Sequence, residues 1–314
     1  MVSIREARRR LPPEFTAALY ESFPAGAADR ILAGMGAERY TTLRVNTLKS
    51  GVQELLAAFR RTGVKHRRVP WCPEAFILIE AREREVEGWE SYRQGRIYLQ
   101  SLSSLIPALV LAPRPGQRVL DLAAAPGSKT TQMAALMGNR GSILAVELHP
   151  LRCERLKYNL ALQGAGIVEV HLGPGEKIGA LYPACFDRVL LDAPCSGEGR
   201  FLLSAPGSFR RWSPREVDRS ARRQRKLLAS AAQTLKPGGE LVYSTCTLNR
   251  QENEEQVSWA VNALPLVIEE ITLPIQGALP GLSSGLHPQA SRCLRLLPSR
   301  EHEGFFVCRM KKKE

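Results

Sequence analysis

Residues 119–130 read VLDLAAAPGSKT, in which an apolar run changes within a few positions into a turn of small residues. The run is typical of a buried strand, and the residues after the turn are typical of a helix. From here onward strand patterns alternate with helix patterns, which predicts an α/β domain with a parallel sheet and helices on both faces. The predicted strands are residues 118–122, 142–146, 167–171, 188–191, 240–243 and 305–309.

Two further stretches rich in glycine and proline mark turns or loops. Lys236–Gly239 is predicted to end the helix before the strand at 240–243, because its glycines adopt dihedral angles that other residues resist. Residues 274–291, rich in Pro, Gly and Ser, are predicted to form a long surface loop.

The turn Ala123–Lys129 can be compared with the loops that bind nucleotides. It lacks the pattern G-x-G-x-x-G, and its single glycine does not fit G-x-x-x-x-G-K-[ST], so neither an NAD loop nor a P-loop is indicated. In a third pattern, Asp121 ends the first strand, and Glu147, about 20 residues past Gly127, ends the second, where it can hold ribose hydroxyls. This pattern favours S-adenosylmethionine over other nucleotides, although acidic residues also end many strands for structural reasons alone.

Length and cysteine content limit the class of protein. A chain of 314 residues with 44% hydrophobic content can bury a large core and favours two domains. No run approaches the roughly 18 apolar residues of a membrane helix, and Ile4–Arg10 lacks the apolar core of a secretion signal. The seven cysteines form no C-x-x-C pair, which indicates reduced thiols and no metal site. We therefore expect a cytoplasmic protein with no membrane segment, and nothing indicates an obligate protein partner.

The net charge of +13 and a pI near 9.7 favour a polyanionic partner, since Lys and Arg displace counterions from phosphates. Nucleic acid is the first candidate, and a generally basic composition without such a partner is the alternative. Clustering favours nucleic acid, because a patch of cations can follow a phosphate backbone. The patches are Arg8–Arg10, Arg60–Arg61, Lys65–Arg68, Arg219–Lys226 and Lys311–Lys313.

The pattern changes near residue 97, which divides the chain into residues 1–97 and 98–314. The first part predicts a small α+β unit with strands at 41–45 and 76–79 and a helix at 52–59. Its basic and aromatic side chains would suit an RNA backbone and stacked bases, although the aromatic ones could equally fill a small core. These side chains are Arg44, Asn46, Arg67, Arg68, Trp71 and Phe76.

Two cysteines follow predicted strands: Cys195 in DAPCSG (192–197) and Cys246 in YSTC (243–246). An open parallel sheet holds its chemistry at the carboxyl ends of its strands. One reaction that requires a cysteine is the methylation of carbon 5 of cytosine. This carbon is a poor nucleophile, so the enzyme first adds a thiolate to carbon 6. A nearby acid such as Asp192 can stabilise the intermediate through a hydrogen bond to N3. A lone cysteine is usually core filler, but two at strand ends favour this chemistry.

Together, Asp121–Thr130, Asp192–Gly197, Tyr243–Leu248 and Gln251–Glu254 closely resemble the RsmB/RsmF/Sun-type (Nol/Nop/Sun) RNA cytosine-5 methyltransferases. The resemblance extends over most of the chain, from residues 43–48 to 304–307, and the upstream pieces look most like RsmF-type enzymes. It implies a Rossmann-like class I methyltransferase sheet at 98–314, preceded by a small α+β RNA-binding domain at 1–97.

The resemblance also implies roles for single residues. Cys246 would attack carbon 6 and Cys195 would assist product release, whereas DNA cytosine-5 methyltransferases place their nucleophile on a Pro-Cys. Asp192 would contact the cofactor and the base, and Lys129 would organise the pocket, unless it forms only an ordinary salt bridge. Glu147 would hold the ribose. The residues that would line S-adenosylmethionine are Ala123, Ala124, Ala125, Pro126, Gly127, Ser128 and Lys129.

Two departures from the family pattern affect these expectations. Where the family has a third acidic cofactor contact, this chain reads LGPG at 172–175, so Glu176 or apolar packing would have to hold the adenine. Larger members add a C-terminal RNA-binding module, so here residues 1–97 and the basic patches are expected to bind RNA.

The expected substrate is a structured RNA whose target cytosine is unpaired or flipped out, because pairing hides carbon 6 from attack. The RsmF-like segments favour ribosomal RNA, and transfer RNA is the alternative. Two other functions are alternatives to this prediction. A non-catalytic RNA-binding assembly factor would not need both thiols, and a DNA methyltransferase would use Cys195 as the attacking residue.

Overall fold

The structure is a computed structural model and describes residues 3–314. Its strands are β1 Thr41–Val45, β2 His66–Val69, β3 Cys72–Leu78, β4 Ile97–Leu99, β5 Arg118–Asp121, β6 Ser142–Glu147, β7 Val168–Leu172, β8 Phe186–Asp192, β9 Leu235–Thr245, β10 Leu266–Glu269, β11 Leu279–Pro280, β12 Leu294–Leu296 and β13 Phe305–Lys312. Its α-helices are α1 Ile4–Arg10, α2 Pro13–Ser22, α3 Ala25–Met35, α4 Val52–Thr62, α5 Glu83–Val86, α6 Glu90–Arg93, α7 Leu102–Leu111, α8 Ser128–Leu136, α9 Pro150–Gln163, α10 Ile178–Leu181, α11 Pro214–Thr234 and α12 Glu254–Ala263.

The α/β domain is built on a sheet of nine strands in the order β11-β12-β13-β9-β8-β5-β6-β7, with β10 beside β13. Successive residues of a strand point to opposite faces: in β5, Val119 packs with α7, α8 and α9, and Leu120 packs with α10, α11 and α12. Apolar residues therefore fill both faces of the central strands. This confirms the predicted α/β class with helices on both faces.

The prediction that the sheet is parallel was only partly right. Strands β7, β6, β5, β8 and β9 are parallel, whereas β13 runs antiparallel to β9, with Val307 opposite Ser244, and β10, β11 and β12 also pair antiparallel. A buried strand has the same apolar pattern in either direction, so the sequence could not show the reversal. Because of it, β13 begins at the edge where the parallel strands end.

Two predicted turns also differ in the structure. Helix α11 ends at Thr234, and Lys236–Gly239 lies inside β9, where Gly238 has a φ of +70° and the pairing with β8 is irregular. The region 274–291 is not wholly a surface loop, because it contains β11 and buries Ile275 and Ala290.

The small unit is an antiparallel sheet in the order β2-β3-β1-β4, with α4 packed on it, as the α+β prediction required. Its last strand, β4, crosses the predicted boundary at residue 97. Helices α1, α2 and α3 pack elsewhere, because their apolar side chains join a core with the segment 201–209 of the α/β domain. Phe15, for example, lies 5.1 Å from Phe201 between ring centroids.

Three of the side chains considered for RNA contact are buried inside the protein. Phe76 fills the core of the small sheet, edge to face with Phe59 at 5.6 Å, which agrees with the core alternative. Asn46 donates to the backbone oxygens of Gly95 and Gln163 at 2.8 Å. Arg44 donates to Thr131 of α8 at 3.1 Å, and burial lowers its pKa to about 10. These two polar residues join the small unit to the α/β domain, so the RNA assignment was wrong for Arg44 and Asn46. For Phe76 the core alternative holds.

No helix among residues 3–314 is both long and apolar enough to cross a membrane.

A fully buried ion pair ties β12 to α12. Arg295 makes two hydrogen bonds of 2.5 Å to the carboxylate of Glu254, and a third of 2.9 Å to the backbone oxygen of Leu248. Its guanidinium carbon also lies over two aromatic rings, 5.2 Å from the ring centroid of Phe23 and 5.5 Å from that of Phe306. The loop after Cys246 is thereby held against the sheet.

Removing Arg295 should therefore be costly. Arg295→Ala leaves the Glu254 carboxylate buried without its counterion, and we expect the free energy of unfolding to fall by about 3–5 kcal/mol. Urea denaturation of the two proteins measures the difference. Lys157→Ala, which removes an exposed pair with Glu154, is the control and should leave stability essentially unchanged. An equal response of the two variants would contradict the assigned role of the buried pair.

Candidate active site

The two candidate cysteines meet at one edge of the sheet. Strands β8 and β9 are parallel neighbours with Asp192 opposite Ser244, so the loops that follow them lie side by side. The Sγ atoms of Cys195 and Cys246 are 3.3 Å apart. The sequence placed each thiol at a strand end, and the order of the strands brings them into contact.

Lys129 reaches the same place from the first turn of α8. Its Nζ lies 2.7 Å from Oδ2 of Asp192 and donates to the hydroxyl of Ser104 at 2.8 Å. The other carboxylate oxygen of Asp192 accepts from the hydroxyl of Ser244 at 2.7 Å. The lysine thus forms a salt bridge, and its partner is the acid predicted for the site.

A hydrogen bond fixes the small-residue turn between β5 and α8. Asp121 is buried at the end of β5 and accepts from the hydroxyl of Thr130 at 2.7 Å, while burial raises its pKa to about 6. Gly127 is the N-cap residue just before α8 and has a φ of +103°, and a Cβ atom there would lie 2.9 Å from the side chain of Leu156. A side chain at this position would be strained in the turn and crowded by α9.

A cavity of about 660 Å³ joins these groups. It is lined by both cysteines, Lys129 and Asp192, and by four residues of the turn: Ala123, Ala125, Pro126 and Ser128. Ala124 and Gly127 are buried and do not line the cavity. The volume lies within the usual range for small-molecule and cofactor sites.

Glu147 and Glu176 lie outside the cavity lining. Glu147 is buried at the end of β6, where it accepts from the backbone N–H of His149 at 2.9 Å and lies 3.8 Å from Arg152, which does line the cavity. Glu176 accepts from Arg223 of α11 at 2.9 Å. Its carboxylate is therefore already engaged by a cation.

The pKa values of the two thiols shift in opposite directions. A hydrogen bond from Cys195 lowers the pKa of Cys246, and the positive charge of Arg200 adds to this effect. The same hydrogen bond, together with burial, raises the pKa of Cys195. Cys246 is thus the thiol that ionises first, and the thiolate is the nucleophilic form of cysteine.

The sequence reasoning missed several residues of the cavity. Arg200 lies five positions after Cys195, and a basic residue so close to a candidate nucleophile was a signal that could have been used. Glu303 and Phe305 also line the cavity, but they reach it only because β13 is antiparallel. No local sequence pattern indicates that direction.

Gly199 lets the C-terminal segment approach the cysteine loops. Its N–H donates to the backbone oxygen of Cys246 and its oxygen accepts from Gly304, each at 2.9 Å. A Cβ atom at residue 199 would lie only 1.9 Å from the oxygen of Gly304, so this contact requires glycine. The contact places Glu303 beside the thiols.

A family model described as 16S rRNA methyltransferase RsmB/F matches residues 108–311. The chain belongs to the RsmB/F methyltransferase family. A second model, the N-terminal domain of 16S rRNA methyltransferase RsmF, matches residues 11–102. These matches confirm the resemblance that the cysteine and turn motifs predicted, and the RsmF-like character of the upstream segments.

Curated relatives agree with the RsmB/F family. The ribosomal RNA small subunit methyltransferase F of Cronobacter sakazakii is 41% identical over 308 residues, which are 96% of this chain and 63% of that protein. The protein of the same name from Escherichia coli O81 is 38% identical over 307 residues, with the same two coverages. The chain therefore spans less than two thirds of the length of these RsmF relatives.

Solved structures show the same fold. A methyltransferase homolog protein from Pyrococcus horikoshii is 32% identical, with a TM-score of 0.86 and 99% of each chain covered. NSun6 from Pyrococcus horikoshii, whose crystal structure was determined with SFG, has a TM-score of 0.85 at 23% identity, covering 98% of this chain and 100% of that chain. At this identity the second likeness shows the fold alone.

The order in which the thiols ionise can be measured without substrate. Cys195→Ala removes the hydrogen bond that lowers the pKa of Cys246. In this variant the alkylation of Cys246 by iodoacetamide should therefore reach its half-maximal rate at a higher pH than in the wild type. Arg200→Leu should shift the midpoint in the same direction, because a cation no longer stabilises the thiolate. Mass spectrometry of the Cys246 peptide gives the rate. A midpoint that moves to lower pH in either variant would contradict the assignment.

Proposed function

We propose that this protein is an S-adenosylmethionine-dependent RNA cytosine-5 methyltransferase that modifies ribosomal RNA of the small subunit. The observation that carries the proposal is the 3.3 Å contact between Cys195 and Cys246, in a cavity that also contains the Lys129–Asp192 pair. Cysteines that served only to fill the core would not need to be in contact with each other at the edge of an open sheet. Membership of the RsmB/F family and the names of the curated relatives support the same activity.

The turn between β5 and α8 suits S-adenosylmethionine. Its small side chains let a ligand approach the backbone, and no side chain caps the N-terminus of α8. Helix N-termini favour negatively charged groups, such as the carboxylate of this cofactor. Glu147 follows β6, whose Val146 accepts a hydrogen bond from Ala124 of the turn, and this neighbour relation supports its assignment to the ribose.

The adenine has no carboxylate partner in this proposal. Glu176 is engaged by Arg223, so it does not replace the acidic contact missing at residues 172–175. Ala193 and Pro194 line the cavity after β8 and supply the apolar packing that the sequence suggested as the other possibility.

In the reaction, S-adenosylmethionine supplies an electrophilic methyl group. The Cys246 thiolate forms a bond from Sγ to carbon 6 of cytosine, which leaves an electron pair available at carbon 5 for the methyl group. Asp192, held by Lys129 and Ser244, contacts the N3 edge, where its carboxyl must carry a proton. It donates this proton in a hydrogen bond to N3, which stabilises the negative charge that develops on the ring.

Release breaks the bond between carbon 5 and its hydrogen, whose proton passes to solvent, and the electron pair left behind restores the double bond between carbons 5 and 6. The bond between carbon 6 and sulfur breaks at the same time, and its electron pair returns to Sγ of Cys246. A thiol of lower pKa leaves faster. Cys195 keeps its proton because its pKa is raised, and it donates a hydrogen bond that stabilises the departing Cys246 thiolate. This contact supports the assignment of Cys195 to product release.

RNA is the proposed partner of the small unit within residues 1–97 and of the basic patches, as the net charge of +13 suggests. The target cytosine must be unpaired or flipped out to enter the cavity. The compartment implied by this substrate is the cytoplasm.

The mechanism can be tested with RNA that contains 5-fluorocytosine, in which fluorine replaces the proton that must leave and so traps the adduct. Cys246→Ala should form no adduct, because the attacking sulfur is missing. Cys195→Ala should still form the adduct, and should also stay bound to ordinary RNA because release is impaired. Denaturing gel electrophoresis separates the species.

Cys185→Ala, which changes a cysteine outside the cavity, is the control and should behave as the wild type. If the adduct depended on Cys195 instead of Cys246, the proposed roles of the two thiols would be reversed. Absence of any adduct with the wild-type protein would argue against the activity itself.

The substrate can be identified by mapping 5-methylcytosine in total RNA from cells with and without this protein. We expect a position in small-subunit ribosomal RNA to lose its methyl group, and to regain it with the wild-type protein but not with Cys246→Ala. Loss of a position in transfer RNA would assign the same reaction to that substrate.

A further inference from the structure

A second cavity, of about 890 Å³, lies next to the active site along the chain. It is bounded by α3, by the end of β2 with the turn into β3, and by residues 296–302. Glu303 and Phe305, which follow directly, line the cavity of the two thiols. The same C-terminal segment therefore contributes to both cavities.

The second cavity carries more positive than negative charge. Arg30, Arg67 and Arg68 line it, against one carboxylate, Glu301. Arg67 lies 2.6 Å from Glu301, but both side chains are substantially exposed, at 48% and 36%. Such a pair is held weakly and can exchange for a phosphate group. The charge therefore complements a nucleic acid backbone.

Two aromatic rings line the same space. Trp71 and His302 are nearly parallel, at 26°, with ring centroids 6.5 Å apart. This pairing is looser than that of Phe15 and Phe201 in the core, at 5.1 Å. Unpaired RNA bases are commonly recognised by stacking on aromatic side chains, and tryptophan presents the largest face.

His302 also has an unsatisfied polar atom. Its Nδ1 is buried and has no hydrogen-bond partner within residues 3–314. Burial lowers the pKa of His302, which favours the neutral ring, with one nitrogen as donor and the other as acceptor. Buried polar atoms are nearly always satisfied, so Nδ1 of His302 calls for a partner from outside the described residues, either a water molecule or a ligand.

We propose that this cavity binds an unpaired base of the substrate RNA, from a nucleotide near the target cytosine. The base stacks on Trp71, its edge contacts Nδ1 of His302, and neighbouring phosphates contact Arg30 and Arg67. The inference rests on the proposed function, because it assigns a second contact to the same RNA. It explains why a half-buried tryptophan lines a basic cavity beside the catalytic one.

The test uses short RNAs that span the methylated cytosine, each with one base removed to leave an abasic nucleotide. Fluorescence anisotropy measures their Kd with the wild type and with Trp71→Ala. For the wild type, one abasic position should weaken binding. Trp71→Ala should weaken binding of the intact RNA by about 5- to 100-fold, the range expected for a stacked base. The variant should be insensitive to that abasic position, because the stacking is already lost.

Two variants serve as controls. Trp71→Phe keeps an aromatic face and should bind nearly as the wild type. Tyr158→Ala removes an exposed aromatic ring outside the cavity and should have no effect.

Equal affinity of Trp71→Ala and the wild type for intact RNA would overturn the inference, as would an abasic effect that persists undiminished in the variant. Failure of the proposed function is separate, because it would appear as a wild-type protein that does not methylate the intact RNA at all.

Discussion

The geometry of the two thiols depends on the carboxylate of Glu252. Glu252 is fully buried, and its carboxylate accepts hydrogen bonds from the backbone N–H of Ser196 at 2.9 Å and from the side chain of Gln224 in α11 at 3.0 Å. The backbone oxygen of Glu252 accepts a hydrogen bond from the hydroxyl of Tyr243 in β9 at 2.6 Å. Burial raises its pKa to about 7, and these donors offset the cost of placing a carboxylate there. The residue thereby joins the Cys195 loop to the loop after Cys246.

The direction of β13 completes the site that Glu252 holds together. An antiparallel last strand begins at the edge where β8 and β9 end, so residues 303–305 arrive beside the thiols. A parallel strand would have required a crossover connection and would have begun at the opposite edge. The contact between Gly199 and Gly304 then fixes the segment against the Cys195 loop. One reversal of strand direction thus adds Glu303 and Phe305 to the cavity.

The sequence predicted features that depend on local pattern. The turn Ala123–Lys129 and the two cysteine loops were recognisable because each requires particular residue types at fixed spacing, and the structure gathers Cys195, Cys246, Lys129 and Asp192 in one cavity. Features that depend on distant contacts could not be read in the same way. Arg44 looks like an RNA-binding residue in the sequence, yet it is buried against α8. Its partner Thr131 is 87 positions away, so no local pattern could have predicted this contact.

The segment that precedes β13 lies between the cavity of the two thiols and the cavity proposed to bind RNA. Arg39 donates to Glu303 at 3.3 Å and to the backbone oxygen of Gly199 at 3.0 Å, so it binds this segment and the Cys195 loop at once. His302, the neighbour of Glu303, lines the other cavity. A base bound beside His302 would therefore contact the same short stretch of backbone that completes the thiol site. Such an arrangement favours an RNA that fills both cavities together. Once residues 302–305 are fixed by one bound nucleotide, they are already in place for the other.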